Sequence, residues 1–554
     1  MDWQRTALLG AIAAVTILLF GEWSDFQERN RPQVDTSTTL ATTTTPAVPA
    51  ESTATASGND LPSAPEEDNE PQEAEVSASA QLIAVKTDTL DVLINTEGGD
   101  IVKVALPQHL AELGNPEPFI LLNQNSAQTY VARSGLIGPN GTDTSAGRPV
   151  FSSSETSYQL ADSEDKLVVE LNLDQGDVKI TKRFTFTRGD NLINVDYLID
   201  NQSSESWKGN LFAQIKRDAH QPIVKGGAVG VNPFLGAALT TTEEKYKKLD
   251  FEDMDEGSFK TSIQGGWVAM VQHYFLSAWV PEQSQNNTFN IYKNSQGLYL
   301  MGFTGPRVEV ASGQQGELKS AFYAGPKDVY RLEEIAPYLD LTVDYGWLWW
   351  IAKPLFYVLH WIHGFLGSWG WSIIALTIII KAAFFQLSAT SYRSMANMRR
   401  VQPQMQSLKE RYGDDRQKMS QELMKLYKTE KINPLGGCLP ILVQMPVFIA
   451  LYWVLLESVE LRHTPFLGWI EDLSIKDPFF ILPIIMGATM WIQQKLNPTP
   501  PDPTQARIMQ MMPFVFTFMF MWFPAGLVLY WVVNNTLSIA QQYVITKQIE
   551  SGAK

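Results

Sequence analysis

The sequence predicts a multi-domain membrane protein with an N-terminal anchor helix, an all-β sandwich domain and an α-helical transmembrane core of five spans. Three observations predict this class. An apolar run lies near the start, residues 81–341 alternate apolar and polar side chains with a period of two, and residues 371–547 contain five further apolar runs. The chain has 554 residues and a formal net charge of −16, so we expect no binding to nucleic acid.

Residues 1–23 are predicted to form the anchor. A single basic residue, Arg5, precedes the apolar run over 7–20 and is expected to keep the N-terminus in the cytoplasm. A cleaved signal peptide is the alternative, but no small-x-small cleavage site follows the run. Residues 24–80 are rich in Thr, Ala, Pro and Glu and bury too little apolar surface to fold, so we predict a disordered acidic linker.

Residues 81–341 are predicted to form the β-sandwich. Segments 166–173, 177–187 and 191–200 alternate apolar and polar residues, and the turn sequences DQGD and RGDN separate them. Strands of this length and spacing are typical of an all-β sandwich. We find no catalytic constellation in this domain.

The next segment, 345–370, is rich in tryptophan and is predicted to form an amphipathic helix in the membrane interface, where aromatic rings lie at headgroup level. Its two histidines, His360 and His363, have the i, i+3 spacing of metal ligands but lack a third ligand nearby. The histidines of the β-sandwich have no ligand spacing, and we interpret them as structural: His109, His220 and His273. We therefore predict no metal site and no cofactor.

Five apolar runs follow and are predicted to be the core spans. Some are shorter than the roughly 20 residues that cross a bilayer. They cover 371–390, 439–456, 478–493, 508–523 and 526–543.

The loop after the first core span holds most of the basic residues of this region, so the positive-inside rule places it in the cytoplasm. Both termini, including a short tail over 548–554, are then cytoplasmic, and the β domain lies across the membrane. The only cysteine is Cys438, which excludes an internal disulfide framework. We interpret this as a multi-pass protein of a bacterial inner membrane, with its large domain in the periplasm.

The cytoplasmic loop, 391–431, is predicted to be an antiparallel helical hairpin. Methionine, valine and leucine recur at spacings of three and four on both sides of a turn at Gly413, and Asp414 or Asp415 is suited to an N-cap. The hairpin is either a solvated connector or a docking platform. The candidate docking residues are Arg399, Arg400, Lys409, Arg411 and Arg416.

Lys381 is a lone charge in the first core span. A charge at bilayer depth costs at least about 2.5–3.5 kcal/mol and is normally paired, hydrated or functional. The later spans contain no aspartate or glutamate, since Glu457 and Glu460 lie at the end of one span. We therefore predict that Lys381 faces a water-filled cavity.

Three features together resemble the YidC-type membrane protein insertases. They are the segment NPLGGC running into LPILVQMPVF from residue 433, the segment WFPAGLVLY over 522–530, and Lys381 midway along the first core span. The resemblance is dense over 349–548. The anchor, acidic linker and large β domain resemble the Gram-negative form of the family.

The resemblance implies a function without covalent chemistry, so we do not expect an enzyme. It also implies that client membrane proteins are inserted and helped to fold, alone or with the Sec translocon, through a hydrophilic groove that is open to the cytoplasm and to lipid. Other implied partners are the lipid bilayer and, at the cytoplasmic face, ribosomes or targeting factors. We expect a monomer.

The groove cation of the family corresponds to Lys381, where many members have arginine. Thr377, one helical turn earlier, matches a polar position, and Trp531 stands where some members have tyrosine. Further polar residues in the spans include Gln444 and Gln494, and they either line the groove or form interhelical hydrogen bonds.

Methionines are concentrated in the span over 508–523 and include Met509, Met512 and Met519. They are either lipid-facing filler or an adaptable surface along which varied client helices slide, because methionine surfaces repack around many partners.

Two rival functions are weighed against insertion. A secondary transporter is expected to show internal repeats and membrane carboxylates, and neither is visible. A periplasmic sugar-active enzyme tethered by helices leaves the elaborate second half of the chain unexplained.

Overall fold

The computed structural model describes residues 62, 80–145, 147–220, 233–412, 415–430, 439–497 and 503–550. The predicted anchor over 1–23 lies outside these residues, as does the predicted linker over 24–80 apart from two positions. Gly413, Asp414, Cys438 and the NPLGGC segment also lie outside them, as do the last four residues of the tail.

The first half of the described chain is a β-sandwich of two sheets, which confirms the predicted fold class of this domain. Sheet 1 has ten strands in the order β14-β17-β18-β11-β5-β4-β3-β2-β1-β7, and sheet 2 has nine in the order β13-β12-β15-β16-β19-β10-β9-β8-β6. Neighbouring strands are antiparallel except for the parallel pair β1 and β7. The strand bounds are β1 Leu82–Lys86, β2 Asp91–Asn95, β3 Asp100–Leu110, β4 Pro118–Gln124, β5 Thr129–Ile137, β6 Ser152–Ser153, β7 Ser157–Gln159, β8 Lys166–Gln175, β9 Val178–Thr187, β10 Leu192–Asn201, β11 Trp207–Arg217, β12 Gly236–Leu239, β13 Lys247–Leu249, β14 Phe259–Gln264, β15 Val268–Val271, β16 Phe275–Pro281, β17 Asn286–Lys293, β18 Tyr299–Val310 and β19 Gln314–Pro326.

The period-two pattern buries alternate side chains between the sheets. In β9, Ile180, Phe184 and Phe186 belong to the core cluster between the two sheets, while their neighbours in the strand are less buried. The predicted turns contain Gly176 at φ 62° and Gly189 at φ 71°, a conformation that glycine adopts at little cost. These turns let β8, β9 and β10 follow one another as antiparallel neighbours.

The second half of the described chain is helical, as predicted. The helix bounds are α1 Phe251–Glu256 and α2 Val329–Ile335 in the first half, then α3 Trp349–Leu366, α4 Trp369–Ala383, α5 Phe385–Arg400, α6 Gln402–Tyr412, α7 Arg416–Thr429, α8 Leu439–Glu457, α9 Ile481–Leu496, α10 Pro503–Phe520 and α11 Ala525–Glu550. Short 3-10 turns cover Leu339–Thr342, Gly346–Leu348 and Val459–Leu461.

The predicted span over 371–390 is not one continuous helix. The helix ends at Ala383, Phe384 takes φ −92° and ψ 10°, and α5 continues at an angle of 67°. No single helix of the described residues is both long and apolar enough to cross a bilayer, although α4 and α5 together meet that test as a bent pair. The number of spans stays a prediction.

The helices pack around α11, which contacts α4, α5 and α9. Helix α3 packs against α4 and α8 through Ala352, Phe356 and Leu359. Its opposite face exposes Trp361 and Phe365, which are 62% and 73% accessible. This apolar outer face is compatible with the predicted interfacial position, which stays a prediction.

Candidate client site

Lys381 lies in the last turn of α4, where its side chain meets α11. Its Nζ donates a 2.7 Å hydrogen bond to Ser538 Oγ, and the residue is 9% exposed. The Ser538 hydroxyl in turn donates to the Asn534 carbonyl oxygen at 2.7 Å. Because the serine proton is used in that bond, the oxygen lone pairs are available to accept from the ammonium group.

The charge of Lys381 is not neutralised by the described part of the chain. The ion pairs found there do not include Lys381, and its hydrogen-bond partner is a neutral hydroxyl. Sequence reasoning identified the charge of Lys381 but missed Ser538 as its hydrogen-bond partner. The predicted water-filled cavity around Lys381 stays a prediction.

Ser538 belongs to a polar row on α11 that bonds to several other helices. Asn534, Ser538 and Gln542 recur every four residues, which places them on one helix face. Gln444 Nε2 of α8 donates to Asn534 Oδ1 at 2.5 Å. Gln542 Nε2 donates to Asn497 Oδ1 at 3.0 Å, just beyond the end of α9. Gln444 and these α11 residues thus form interhelical hydrogen bonds, and their lining of a groove stays a prediction.

The other predicted groove residues do not contact Lys381 through any hydrogen bond among the described residues. Thr377 is buried one turn earlier, and its hydroxyl donates to the Ile373 carbonyl at 2.7 Å. Gln494 is half-buried on α9. The Trp531 ring contacts Phe448 edge-on, with 4.9 Å between ring centroids, and its buried Nε1 lacks a hydrogen-bond partner in the described chain.

The predicted methionine surface lies on α10. Met512 and Met519 are exposed and Met509 is half-buried. Phe514 and Phe518 are exposed on the same helix, at 61% and 59%. Helix α10 therefore presents a broad apolar surface that the described chain leaves uncovered.

The predicted hairpin is formed by α6 and α7, with α5 leading into it. Val401 and Met405 are buried against Leu423 and Leu426, so the predicted seam is present. Asp415 caps α7 by accepting from Lys418 N at 3.0 Å, as predicted.

Four of the five predicted docking residues are exposed at the end of α5 and on α6. Pro403 lies near the start of α6, where its missing N–H is tolerated, and a one-residue break at Val401 separates α6 from α5. These four exposed residues are Arg399, Arg400, Lys409 and Arg411. The side chain of Arg416 lies outside the described part of the chain.

Sequence reasoning missed an ion pair between the two halves of the protein. Lys327 Nζ lies 2.5 Å from Glu457 Oε2, and the two residues are 130 positions apart in the chain. The sequence pattern identified Glu457 only as the end of a span. No local signal links it to a lysine in the β-sandwich.

Comparison with known proteins shows the family. Residues 82–358 match a family model described as the YidC periplasmic domain, and residues 361–552 match one described as 60Kd inner membrane protein. The membrane protein insertase YidC of Cellvibrio japonicus is 63% identical, over 99% of both chains. The insertase of the same name from Ectopseudomonas mendocina is 54% identical, over 100% of this chain and 99% of its own.

A crystal structure of an active YidC insertase with its first transmembrane domain resolved is also similar. It is 18% identical, and the match covers 84% of this chain and 93% of that chain with a TM-score of 0.37.

The relatives from Cellvibrio japonicus and Ectopseudomonas mendocina are named as insertases, which is a non-enzymatic role. The resemblance predicted from the sequence is confirmed, and the chain belongs to the YidC family of membrane protein insertases, proteins of the bacterial inner membrane with a periplasmic domain.

Proposed function

We propose that this protein inserts client membrane proteins, and helps them to fold, by offering one positive charge in a hydrophilic groove. The observation that supports this proposal is the environment of Lys381. The lysine is buried where the end of α4 meets α11, and its partner Ser538 carries no charge. A buried cation without a counter-ion among the described residues is suited to attract a carboxylate that arrives with a client.

The attraction acts on the hydrophilic flank of a client, which is often acidic. The flank enters from the cytoplasm, and a carboxylate binds the ammonium group of Lys381. The lysine offers a point charge and lacks the two-pronged geometry of arginine, so long-range attraction is favoured over a fixed bonding pattern. Thr377, Gln444, Gln494 and Trp531 are proposed to line the same groove.

The apolar segment of the client moves into lipid along the outer face of the helical core. The exposed methionines of α10 are proposed to form the sliding surface, because flexible thioether side chains adapt to different client helices. Partition supplies the driving force. About 20 apolar residues at roughly −0.3 to −0.6 kcal/mol each give on the order of −10 kcal/mol, so no nucleotide and no cofactor are required. The groove lowers the barrier for the polar flank.

The proposed topology has an N-terminal anchor and five core spans, with both termini in the cytoplasm. The basic hairpin then lies at the cytoplasmic mouth of the groove. There it can receive ribosomes, targeting factors or acidic client flanks. Cooperation with the Sec translocon and action as a single subunit belong to the same proposal.

Reconstitution in lipid vesicles tests the proposal. The purified protein, without nucleotide, is expected to insert a client with an acidic flank while the vesicles retain a trapped solute. The Lys381→Glu protein serves as the matched control and is expected to lose most of this insertion. Solute flux without client insertion would instead identify a transporter.

A further inference from the structure

A buried ion pair joins the β-sandwich to the helical half of the protein. Lys327 directly follows β19, and Glu457 is the last residue of α8. Their charged atoms are 2.5 Å apart, and the two side chains are 2% and 3% exposed. Both charges are therefore removed from water at a contact between two parts of the chain.

The position of Glu457 is unfavourable for a carboxylate considered alone. The C-terminal end of a helix carries partial negative charge, and burial disfavours the ionised form. An apolar pair of similar volume would often be equally stable or more stable at a buried site. Stability alone therefore does not explain this pair. Its distinctive property is specificity, since only a contact that brings Lys327 to Glu457 compensates both charges.

Polar contacts on either side of the ion pair join the same two parts. His273, between β15 and β16, has its Nε2 2.9 Å from the Leu456 carbonyl oxygen at the end of α8. Arg462 donates to the carbonyl oxygens of Leu110 and Ala111 at 2.7 and 3.1 Å. Residues 456–462 thus contact the β-sandwich through three separate groups.

Apolar packing continues across the contact. Val459, in the 3-10 turn after α8, belongs to the core cluster of the β-sandwich. A second cluster of buried side chains includes Trp267 and Leu276 of the β domain together with Ala450 and Val454 of α8. The β domain is therefore packed onto α8 rather than connected by chain alone.

We propose that Lys327 and Glu457 are a positioning pair that fixes how the periplasmic domain docks on the end of α8. The domain then holds one end of a helix that carries Gln444 about 20 Å away along its axis. Gln444 is hydrogen-bonded to Asn534, one turn before Ser538 on α11. In this way the periplasmic domain fixes the position of α8 within the helical core. This inference concerns the domain contact and is independent of the proposed role of Lys381.

The experiment compares four forms of the full-length protein in lipid nanodiscs by hydrogen–deuterium exchange. They are the wild type, Lys327→Met, Glu457→Gln and the double variant. Each single variant leaves one buried charge without its partner, so the amides of residues 456–462 are expected to exchange about tenfold faster or more. The double variant removes both charges and is expected to lie closer to the wild type than either single variant.

Lys319→Met is the matched control. Lys319 pairs with Glu317 at 3.1 Å on the surface of the β-sandwich, where the side chains are 55% and 38% exposed. Its loss is expected to leave exchange at 456–462 unchanged. The proposal is overturned if Lys327→Met behaves like this control, or if the double variant exchanges faster than both single variants. Should a single variant fail to fold, recovery of folded protein in the double variant supports the pair, and failure of the double variant contradicts it.

Discussion

The ammonium group of Lys381 is hydrogen-bonded to the hydroxyl of Ser538, 157 residues away in the chain, at 2.7 Å. This bond connects the end of α4 to the middle of α11. A lysine has three N–H donors, and Ser538 accepts one of them. Among the described residues Ser538 is a neutral partner, so the bond orients the charge without neutralising it.

The first prediction is that Lys381 acts in insertion through its positive charge. Lys381→Arg is expected to remain active, and Lys381→Glu is expected to slow insertion of clients with acidic flanks by about tenfold or more. Two unit charges 4 Å apart interact by about 1 kcal/mol in water and about 4 kcal/mol near a protein surface. Insertion rates for clients that differ only in flank charge measure the effect, which should grow with client negative charge. If the Lys381→Ala protein inserted these clients at wild-type rates, the lysine would be a tolerated charge without a role in insertion.

The second prediction concerns Ser538 as the residue that orients Lys381. Ser538→Asp supplies an internal carboxylate, so it is expected to slow the insertion of acidic clients while neutral clients are much less affected. Ser538→Thr keeps the hydroxyl and is the matched control, with near wild-type rates. The same vesicle assay, with acidic and neutral clients side by side, measures both. Equal loss with both clients would indicate a packing defect instead of charge neutralisation.

Much of the β-sandwich could be predicted because burial there follows a local rule. Strand residues two apart face the same side, so Ile180, Phe184 and Phe186 mark a buried face in the sequence itself. The break at Phe384 could not be predicted in this way. Neither glycine nor proline, the usual causes of helix interruption, stands at that position.

The candidate site was predictable only in part, for a related reason. Lys381 is conspicuous because a charge in an apolar run has a high cost regardless of the fold. Its partner Ser538 is an ordinary serine in another helix, and only helix packing brings the two together. The same holds for Glu457, whose partner Lys327 follows a β-strand. Contacts between distant segments of the chain produce no periodic pattern in the sequence, so they could not be predicted from it.

The third prediction concerns the exposed basic residues at the end of α5 and on α6, which we propose lie at the cytoplasmic side. Reversing Arg399, Arg400 and Arg411 together is expected to slow client capture at low salt, with a deficit that shrinks as salt is raised. Attraction between exposed charges is screened within about 8–10 Å at physiological ionic strength. The folded core should be unaffected, because exposed charges contribute little to stability.

Insertion kinetics across a salt series measure this effect of the hairpin charges. Replacing Lys425, which is already paired with Glu422 at 2.6 Å on α7, provides a control with a smaller expected effect. Normal capture by the reversed hairpin at low salt would identify the hairpin as a connector.

The fourth prediction is that the contact between the β-sandwich and α8 weakens in acid through His273. Burial, and then the nearby charge of Lys327, lowers the pKa of His273 from 6.5 to about 3 in the folded protein. The open or unfolded state therefore binds a proton more readily as pH falls from 6.5 towards 3, and stability declines through that window. The slope is up to about 1.4 kcal/mol per pH unit. His109, whose pKa burial lowers to about 4, contributes with the same sign over the narrower window from pH 6.5 to about 4.

Replacing His273 with glutamine isolates this contribution. His273→Gln keeps an N–H donor for the Leu456 carbonyl but does not titrate, so its local stability is expected to depend less on pH. Hydrogen exchange of residues 456–462 at pH 7, 5.5 and 4 measures the slope, and His220→Gln, at an exposed position, is the matched control. At pH 7 the neutral His273 ring donates through Nε2, so glutamine and histidine should then differ little. A His273→Gln protein that loses protection in acid as steeply as the wild type would show that other groups control the contact.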